Sequence, residues 1–161
     1  MEKAFDKVSH AHLINKLKFY NINPQLLDWI ISFLTKRSQR VRINDSFSNW
    51  VKVLSGIPQG SVLGPLLFLL YINDLASIDN LSSELFLFAD DAKLFRFISK
   101  QSDISDLQKD LNNLFEWTSK SLLMLNVSKC KVVSYGRNIS FDSQYTIGNE
   151  KLEKVNNIKD L

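Results

Sequence analysis

The sequence predicts an α+β fold with helices packed on one face of an antiparallel sheet. Two patterns point there: segments of helical period are interleaved with alternating polar–apolar segments, and most of the alternating segments are joined by short turns. Composition agrees. The chain has 161 residues and is 45% hydrophobic, with eleven Phe and three Trp, enough for one domain with a real core. No repeat, low-complexity tract or Gly/Ser linker divides it, so it reads as one continuous domain, residues 1–161.

Taken in order, "HAHLINKLKFYNI" (10–22) spaces Leu13, Leu17 and Tyr20 as a helix does. "NPQLLDWIISFLTKR" (23–37) predicts a second helix, with Asn23 as N-cap, Pro24 in the first turn and Lys36 and Arg37 in the last. "QRVRI" (39–43) and "NWVKVL" (49–54) alternate around a turn at "NDSFS", a solvent-facing hairpin carrying Arg37, Arg40, Arg42 and Lys52. "GIPQGSVLGPLLFLLYINDL" (56–75) starts as a loop and becomes apolar all round, the pattern of a buried helix, with Ser61 able to cap it and Gly64 and Pro65 serving packing and a kink. "ELFLFA" and "AKLFRFI" read as strands joined by two residues, Asp90 and Asp91. "DISDLQKDLNNLFEWTSKSLL" (103–123) is an amphipathic helix with Ile104, Leu107, Leu111, Leu114, Phe115 and Leu122 on one side. "KCKVVSY" (129–135), "QYTIGN" (144–149) and "KLEKV" (151–155) read as strands.

Several function classes fall away. Cys130 is the single cysteine, so no internal disulfide and no cysteine metal cluster can form, and a reducing, intracellular setting is the simpler reading. "MEKAFDKVSH" lacks the apolar core of a secretion signal. The longest apolar run, 62–72, is well short of the roughly 20 residues that span a bilayer, so no membrane is expected. A net charge of +3 permits a nucleic-acid partner without demanding one.

The chemistry concentrates at Asp90 and Asp91. Two adjacent carboxylates at a tight turn each raise the cost of ionising the other unless a cation sits between them. Oxygen-only ligands select a hard divalent ion, and magnesium takes waters and substrate phosphates as its other ligands. A solvated turn is the plain alternative, since Asp favours turns. His10 and His12 have no third ligand candidate nearby and read as surface or capping histidines.

"GIPQGSVLGP" followed some 30 residues later by "FADDAKLF" resembles the palm of reverse transcriptases. The closest likeness is to the RNA-directed DNA polymerases of non-LTR retrotransposons of the jockey and LINE kind. "MEKAFDKVSH" is similar to the tail of the first palm motif, "LLMLNVSKCKVV" to the fourth, and "YTIGNEKLEKVNNIKDL" to the strands leading towards a thumb. The resemblance covers essentially the whole chain. It implies a polymerase palm with fingers and thumb largely missing, and two Mg2+ ions held in the intact enzyme by one Asp of the first motif and the Asp90–Asp91 pair. Aligning "MEKAFD" puts that first Asp directly before Met1, so this chain keeps two of three carboxylates, and Asp6 is the family's second acidic position with its side chain facing elsewhere. Phe5 matches the aromatic under the incoming sugar that excludes a 2′-hydroxyl; a core Phe is the alternative. Gln59 and Gly60 match the loop against nucleotide and template, and Ala89 the variable residue of the aspartate box. Phe88 stands for the commoner Tyr as a hydrophobic buttress. Lys129 matches the Lys that protonates departing pyrophosphate, with Lys131 a competing candidate and an exposed strand-end Lys the alternative. Glu2 and Lys3 are surface charge on the bland reading.

The implied partners are an RNA template, a DNA primer and deoxynucleoside triphosphates, in the nucleus or cytoplasm. The resemblance implies nucleotidyl transfer by the intact parent and none by this fragment. The competing reading is a non-enzymatic retroelement remnant, at most a nucleic-acid-binding module. An RNA-templated RNA polymerase is disfavoured by Phe5 and "IPQGSVLGP". Arg37, Arg40, Arg42 and Lys52 either contact template backbone or line a solvated hairpin.

Overall fold

A computed structural model describes residues 1, 3–78, 81–136 and 143–158. The expected surface charge at Glu2 and the chain end at 159–161 lie outside the described residues. The chain forms two compact units, one of Lys3–Asp74 and the other running on from Leu75 and including Met1.

The Lys3–Asp74 unit begins with a short helix α1 (Ala4–Lys7), then α2 (His10–Phe19) and α3 (Pro24–Leu34). Ser9 caps α2, its hydroxyl accepting from the His12 N–H, and Asn23 caps α3, accepting from the Gln25 N–H at 2.9 Å with Pro24 in the first turn. α3 stops at Leu34, three residues before the expected end, where Lys36 enters the left-handed region at φ 59°. Arg37, expected in the last turn, reaches back to donate from Nε to the Leu34 carbonyl at 2.9 Å.

A broken hairpin follows: β1 (Ser38–Gln39) pairs with β4 (Val51–Lys52), and inside it β2 (Arg42–Ile43) pairs with β3 (Ser46–Phe47), both antiparallel. The tip falls at Asn44, φ 51°. Helix α4 (Gly64–Ile72) closes the unit and runs into a 3-10 turn, Asn73–Ser77. Gly64 and Pro65 stand at its start, so they begin the helix and do not kink it. The N-cap is Leu63, without a side-chain bond, and not Ser61, which stands two residues ahead with its hydroxyl accepting from the Gly64 N–H at 3.0 Å.

α2 packs against both α3 and α4. Leu13, Leu17, Leu27, Ile30, Leu34, Leu67, Phe68 and Tyr71 are buried. At about 25 cal/mol per Å2 of apolar surface, such burial is what holds these short helices in place. α4 does not bury its whole circumference: Leu66 and Leu69 stay about half exposed, at 51% and 54%. Only one side of it meets neighbouring apolar surface.

The second unit carries the hairpin β5 (Glu84–Phe88) and β6 (Asp91–Phe95), helix α5 (Gln101–Lys120), a 3-10 turn (Val127–Lys129), and β7 (Lys131–Val133), β8 (Thr146–Ile147), β9 (Glu150–Lys151) and β10 (Glu153–Val155). α5 lays Ile104, Leu107, Leu111 and Phe115 over a core of Tyr145, Ile147 and Leu152, and Leu114 is buried as well. Leu122 leaves that stripe: it lies beyond the helix end at φ 54° and is 52% exposed. Gln108 pins α5 to β8 by bonding both the N–H and the carbonyl of Thr146, each at 2.9 Å.

The mixed α+β class is as expected. The single antiparallel sheet is not: among the described residues the strands form five separate two-stranded ladders, and β7–β10 is parallel. The reason is local. Strands of two to five residues complete few bonds each, and the β8–β9 hairpin carries the chain back so that β10 runs in the direction of β7. Among the described residues no helix is long and apolar enough to cross a membrane.

Candidate active site

The β5–β6 hairpin alternates cleanly. Leu85, Leu87, Ala92 and Leu94 are half-buried on one face, while Phe86, Phe88, Asp91 and Phe95 are exposed on the other. Its register, Phe88 opposite Asp91, shifts the turn by one residue from the expectation. The two connecting residues are Ala89 and Asp90, and Asp91 is the first residue of β6. Ala89 takes φ 49°, a conformation that suits Gly better and costs an L-residue about 1 kcal/mol. Strain of that kind is held where the surroundings fix the backbone. Phe88 is 73% exposed, so it does not buttress from within a core.

Asp90 is half-buried and Asp91 exposed. The Met1 ammonium donates to the Asp90 carbonyl at 2.8 Å and lies 3.8 Å from its carboxylate Oδ2. Met1 therefore sits against the aspartate turn. The donor set fits a hard divalent cation: Mg2+ is commonly held by one or two carboxylates, with waters and phosphates completing its shell. Among the described residues no group of three or more His, Cys, Asp or Glu converges as a metal site.

The hairpin is fixed at both ends by α5. At its entry, the fully buried Asp110 accepts from the Ser82 N–H and from the hydroxyls of Ser82 (2.9 Å) and Ser83 (2.5 Å). At its exit, Arg96 donates to Asp103 at 3.2 Å, to Asp106 at 2.8 Å and to the Ser82 carbonyl at 2.8 Å. Asp103 also accepts from the N–H groups of Ser99 and Lys100, closing the first turn of α5. The Ser99 N–H above all holds its carboxyl well below the usual carboxylate range, with Lys100 and Arg96 adding to this. The spacing of Asp103 from the helix start is a readable capping signal. The Asp110 contacts cross 27 and 28 residues and leave no local pattern.

In the other unit, the "GIPQG" loop is built around Gly56. Gly56 has φ 86°, and a Cβ there would meet the Asp6 carbonyl oxygen at 2.7 Å. Its N–H donates to the Val8 carbonyl, and its own carbonyl accepts from His10 Nε2 and from Arg37, each at 2.8 Å. His10 is thus a buried strut and not a surface histidine, and Nε2 carries the proton because its partner is a carbonyl. Arg37 is likewise committed to the fold.

Gln59 donates from Nε2 to Asp6 Oδ1 at 2.8 Å, a bond that fixes its amide so that Oε1 is the acceptor end. Asp6 therefore orients Gln59, a role the sequence did not signal. Gly60 has φ 77° with open space beside it. Phe5 is half-buried and stacks on Phe68, centroids 4.5 Å apart and planes at 22°, so it is neither a sealed core residue nor a free ring.

Lys129 ends the 3-10 turn and is exposed, just ahead of the strand on which it was expected. Lys131 on β7 is tied to Glu153 on β10 at 2.5 Å. Cys130 between them is half-buried; its thiol donates to the Asn126 carbonyl, and burial pushes its pKa up.

The family model for reverse transcriptase (RNA-dependent DNA polymerase) matches residues 1–157. The chain is 31% identical over 142 residues to the RNA-directed DNA polymerase from mobile element jockey of Drosophila melanogaster, covering 84% of this chain and 15% of that protein. It is 30% identical over 168 residues to the jockey polymerase of Drosophila funebris, covering all of this chain and 18% of that protein. It is 34% identical over 137 residues to the probable RNA-directed DNA polymerase from transposon BS of Drosophila melanogaster, covering 80% of this chain and 15% of that protein. The chain thus spans less than a fifth of the length of these relatives. With the aspartate hairpin and the glutamine loop in place, the chain belongs to the reverse transcriptase family, with its relatives among the polymerases of non-LTR retrotransposons.

Proposed function

We propose that residues 1–161 are palm sequence of a retrotransposon RNA-directed DNA polymerase, acting on an RNA template, a DNA primer and deoxynucleoside triphosphates within a longer protein. One observation carries this reading: a strained two-residue turn holds Asp90 and Asp91 at the end of a clamped hairpin, and Met1 lies against it. By the resemblance, a residue directly ahead of Met1 in a longer chain would supply the family's third carboxylate. Asp90 and Asp91 would hold Mg2+, which when bound neutralises charge on the attacking and leaving oxygens. Reverse transcriptases in general use divalent metal ions.

The remaining roles follow the resemblance. Gln59, held by Asp6, offers Oε1 to the nucleotide; Gly60 and Ala89 supply backbone that approaches substrate closely; and Phe5, braced on Phe68, presents an edge to the sugar. Lys129 suits the proton donor to pyrophosphate better than Lys131, whose ammonium is engaged by Glu153. The single Cys130 fits an intracellular setting.

With only Asp90 and Asp91 in place, the 161-residue chain by itself is expected not to extend a primer. With the flanking sequence of a jockey-type relative supplied on both sides, it should incorporate deoxynucleotides on RNA with Mg2+. Asp90→Asn should then cost several kcal/mol of transition-state stabilisation. Phe5→Ala should spare deoxynucleotide incorporation but raise the ribo-to-deoxynucleotide ratio. Incorporation that survives Asp90→Asn would overturn the metal-ligand assignment, and an unchanged ratio would make Phe5 a core residue only.

A further inference from the structure

We propose that Arg96 and Asp110 are positioning residues for the aspartate pair: with α5 they set the register of the β5–β6 hairpin and so decide which residues form its turn. What this means for Mg2+ rests on the proposed polymerase reading; the register itself does not.

The turn in the structure is not the one that local chemistry favours. Ala89 and Asp90 connect the strands, with Ala89 at φ 49°, at the place glycine normally fills in a two-residue hairpin. Moving the turn one residue on, to Asp90 and Asp91, would put Asp there, and Asp tolerates the left-handed region better than Ala does. The ladder itself offers little resistance. It has two strands, with no third beside it among the described residues, and an isolated hairpin is marginal in water. The faces do not forbid the move either. In the shifted register Phe88 would stand across from Lys93 in place of Asp91, and all three are already exposed on one side.

The obstacle is at the far end of the hairpin. The last ladder pair is Glu84 with Phe95, and just outside it Ser82 is gripped twice. Its N–H and hydroxyl donate to the buried Asp110, and its carbonyl accepts from Arg96 at 2.8 Å. The same guanidinium is held to α5 by Asp103 and Asp106, and it keeps this place although its Nε is buried without a partner. Entry strand, exit strand and helix are thus locked at one relative position. The shifted register slides one strand past the other by two residues, about 7 Å, which takes the Ser82 carbonyl out of reach of Arg96. Charge is not the means. Arg96 and Asp91 are five residues apart on an extended strand. That is about 17 Å, beyond the roughly 8 Å over which exposed charges act at physiological salt. The clamp works through the backbone. It keeps Asp91 in the ladder opposite Phe88, where the shifted register would leave both carboxylates in the loop.

The test uses the isotopically labelled 161-residue chain, with the register read from cross-strand NOEs and metal affinity from Mn2+ line broadening. In wild type Phe88 should lie across from Asp91. In Arg96→Gln a second set of contacts should appear, Phe88 to Lys93 and Ala89 to Ala92, and Mn2+ affinity at residues 88–92 should fall about tenfold or more. That change of partners is a readout that a purely stabilising clamp would not move. Adding Ala89→Gly, which removes the strain at the tip, should restore both register and affinity. Signals of β8 and β9 check that the variant is folded, and Asp106→Asn, which removes a half-exposed partner of Arg96, makes the same comparison with less risk to the fold. An unchanged register in both Arg96→Gln and Asp106→Asn would overturn the proposal. So would a loss of affinity with the register intact, or one that Ala89→Gly does not restore. Failure of wild type to bind Mn2+ at the turn would sink the metal assignment alone, and the NOE contacts would still decide the register.

Discussion

Gly56 and Gly60 stand four residues apart in one motif, both at positive φ, and they are not equivalent. At Gly60 there is open space, so alanine adds only left-handed strain, about 1 kcal/mol. At Gly56 a Cβ would meet Asp6 backbone atoms at 2.7, 2.9 and 3.0 Å, and that backbone cannot swing aside as a side chain can. Gly56→Ala should therefore destabilise by about 3 kcal/mol or more, on the scale of strain plus overpacking. Urea denaturation of the two variants checks this, and equal losses would mean that the close approach is not real. The motif itself was legible in the sequence as a loop needing backbone freedom. That Gly56 serves packing against Asp6, and that Asp6 aims Gln59, was not, because both depend on residues about 50 positions apart. Asp103 is a second case at this scale. Its carboxyl is held below the ordinary 3.8, so the folded state binds its proton less readily than the unfolded state does. The stability it contributes is present above that value and fades as pH falls through it. Asp103→Asn should lower the melting temperature at neutral pH, and the gap to wild type should narrow below about pH 4. A gap that stays constant from pH 7 to pH 3 would contradict the assignment.

The aspartate hairpin could be read from its own alternation, because period two declares a strand whatever surrounds it. Its register slipped by one residue from the reading. Two like charges looked like the turn, but the left-handed position falls on Ala89. Helix α5 was legible for the same reason, and its stripe failed only at Leu122, past the last helical turn. What periodicity could not show is how α5 seizes the hairpin. Asp110 receives three donors from Ser82 and Ser83, and Arg96 bridges to Asp103 and Asp106. Asp110→Ala would remove the acceptor of three hydrogen bonds at the hairpin entry and should destabilise by about 1–3 kcal/mol. The amides of β5 should then exchange faster with solvent than those of β8 and β9. Uniform acceleration across the unit would show that Asp110 supports the core as a whole and not the hairpin entry.

At the scale of the whole chain, the sequence displays its family through two short motifs, while the separate two-stranded ladders could not be foreseen. Ladder partners are chosen by long-range packing, and strands of two or three residues carry almost no pattern of their own. The α+β class survives that uncertainty because it rests on the period of each segment. So does the aspartate turn, on which everything chemical depends. Mn2+, a paramagnetic stand-in for Mg2+, tests it most directly when added to the isotopically labelled chain. Amide signals of residues 88–92 and of Met1's neighbourhood should broaden first, and Asp90→Asn should abolish the effect. Broadening centred elsewhere, or unchanged in Asp90→Asn, would mean that the aspartate pair is an ordinary solvated turn.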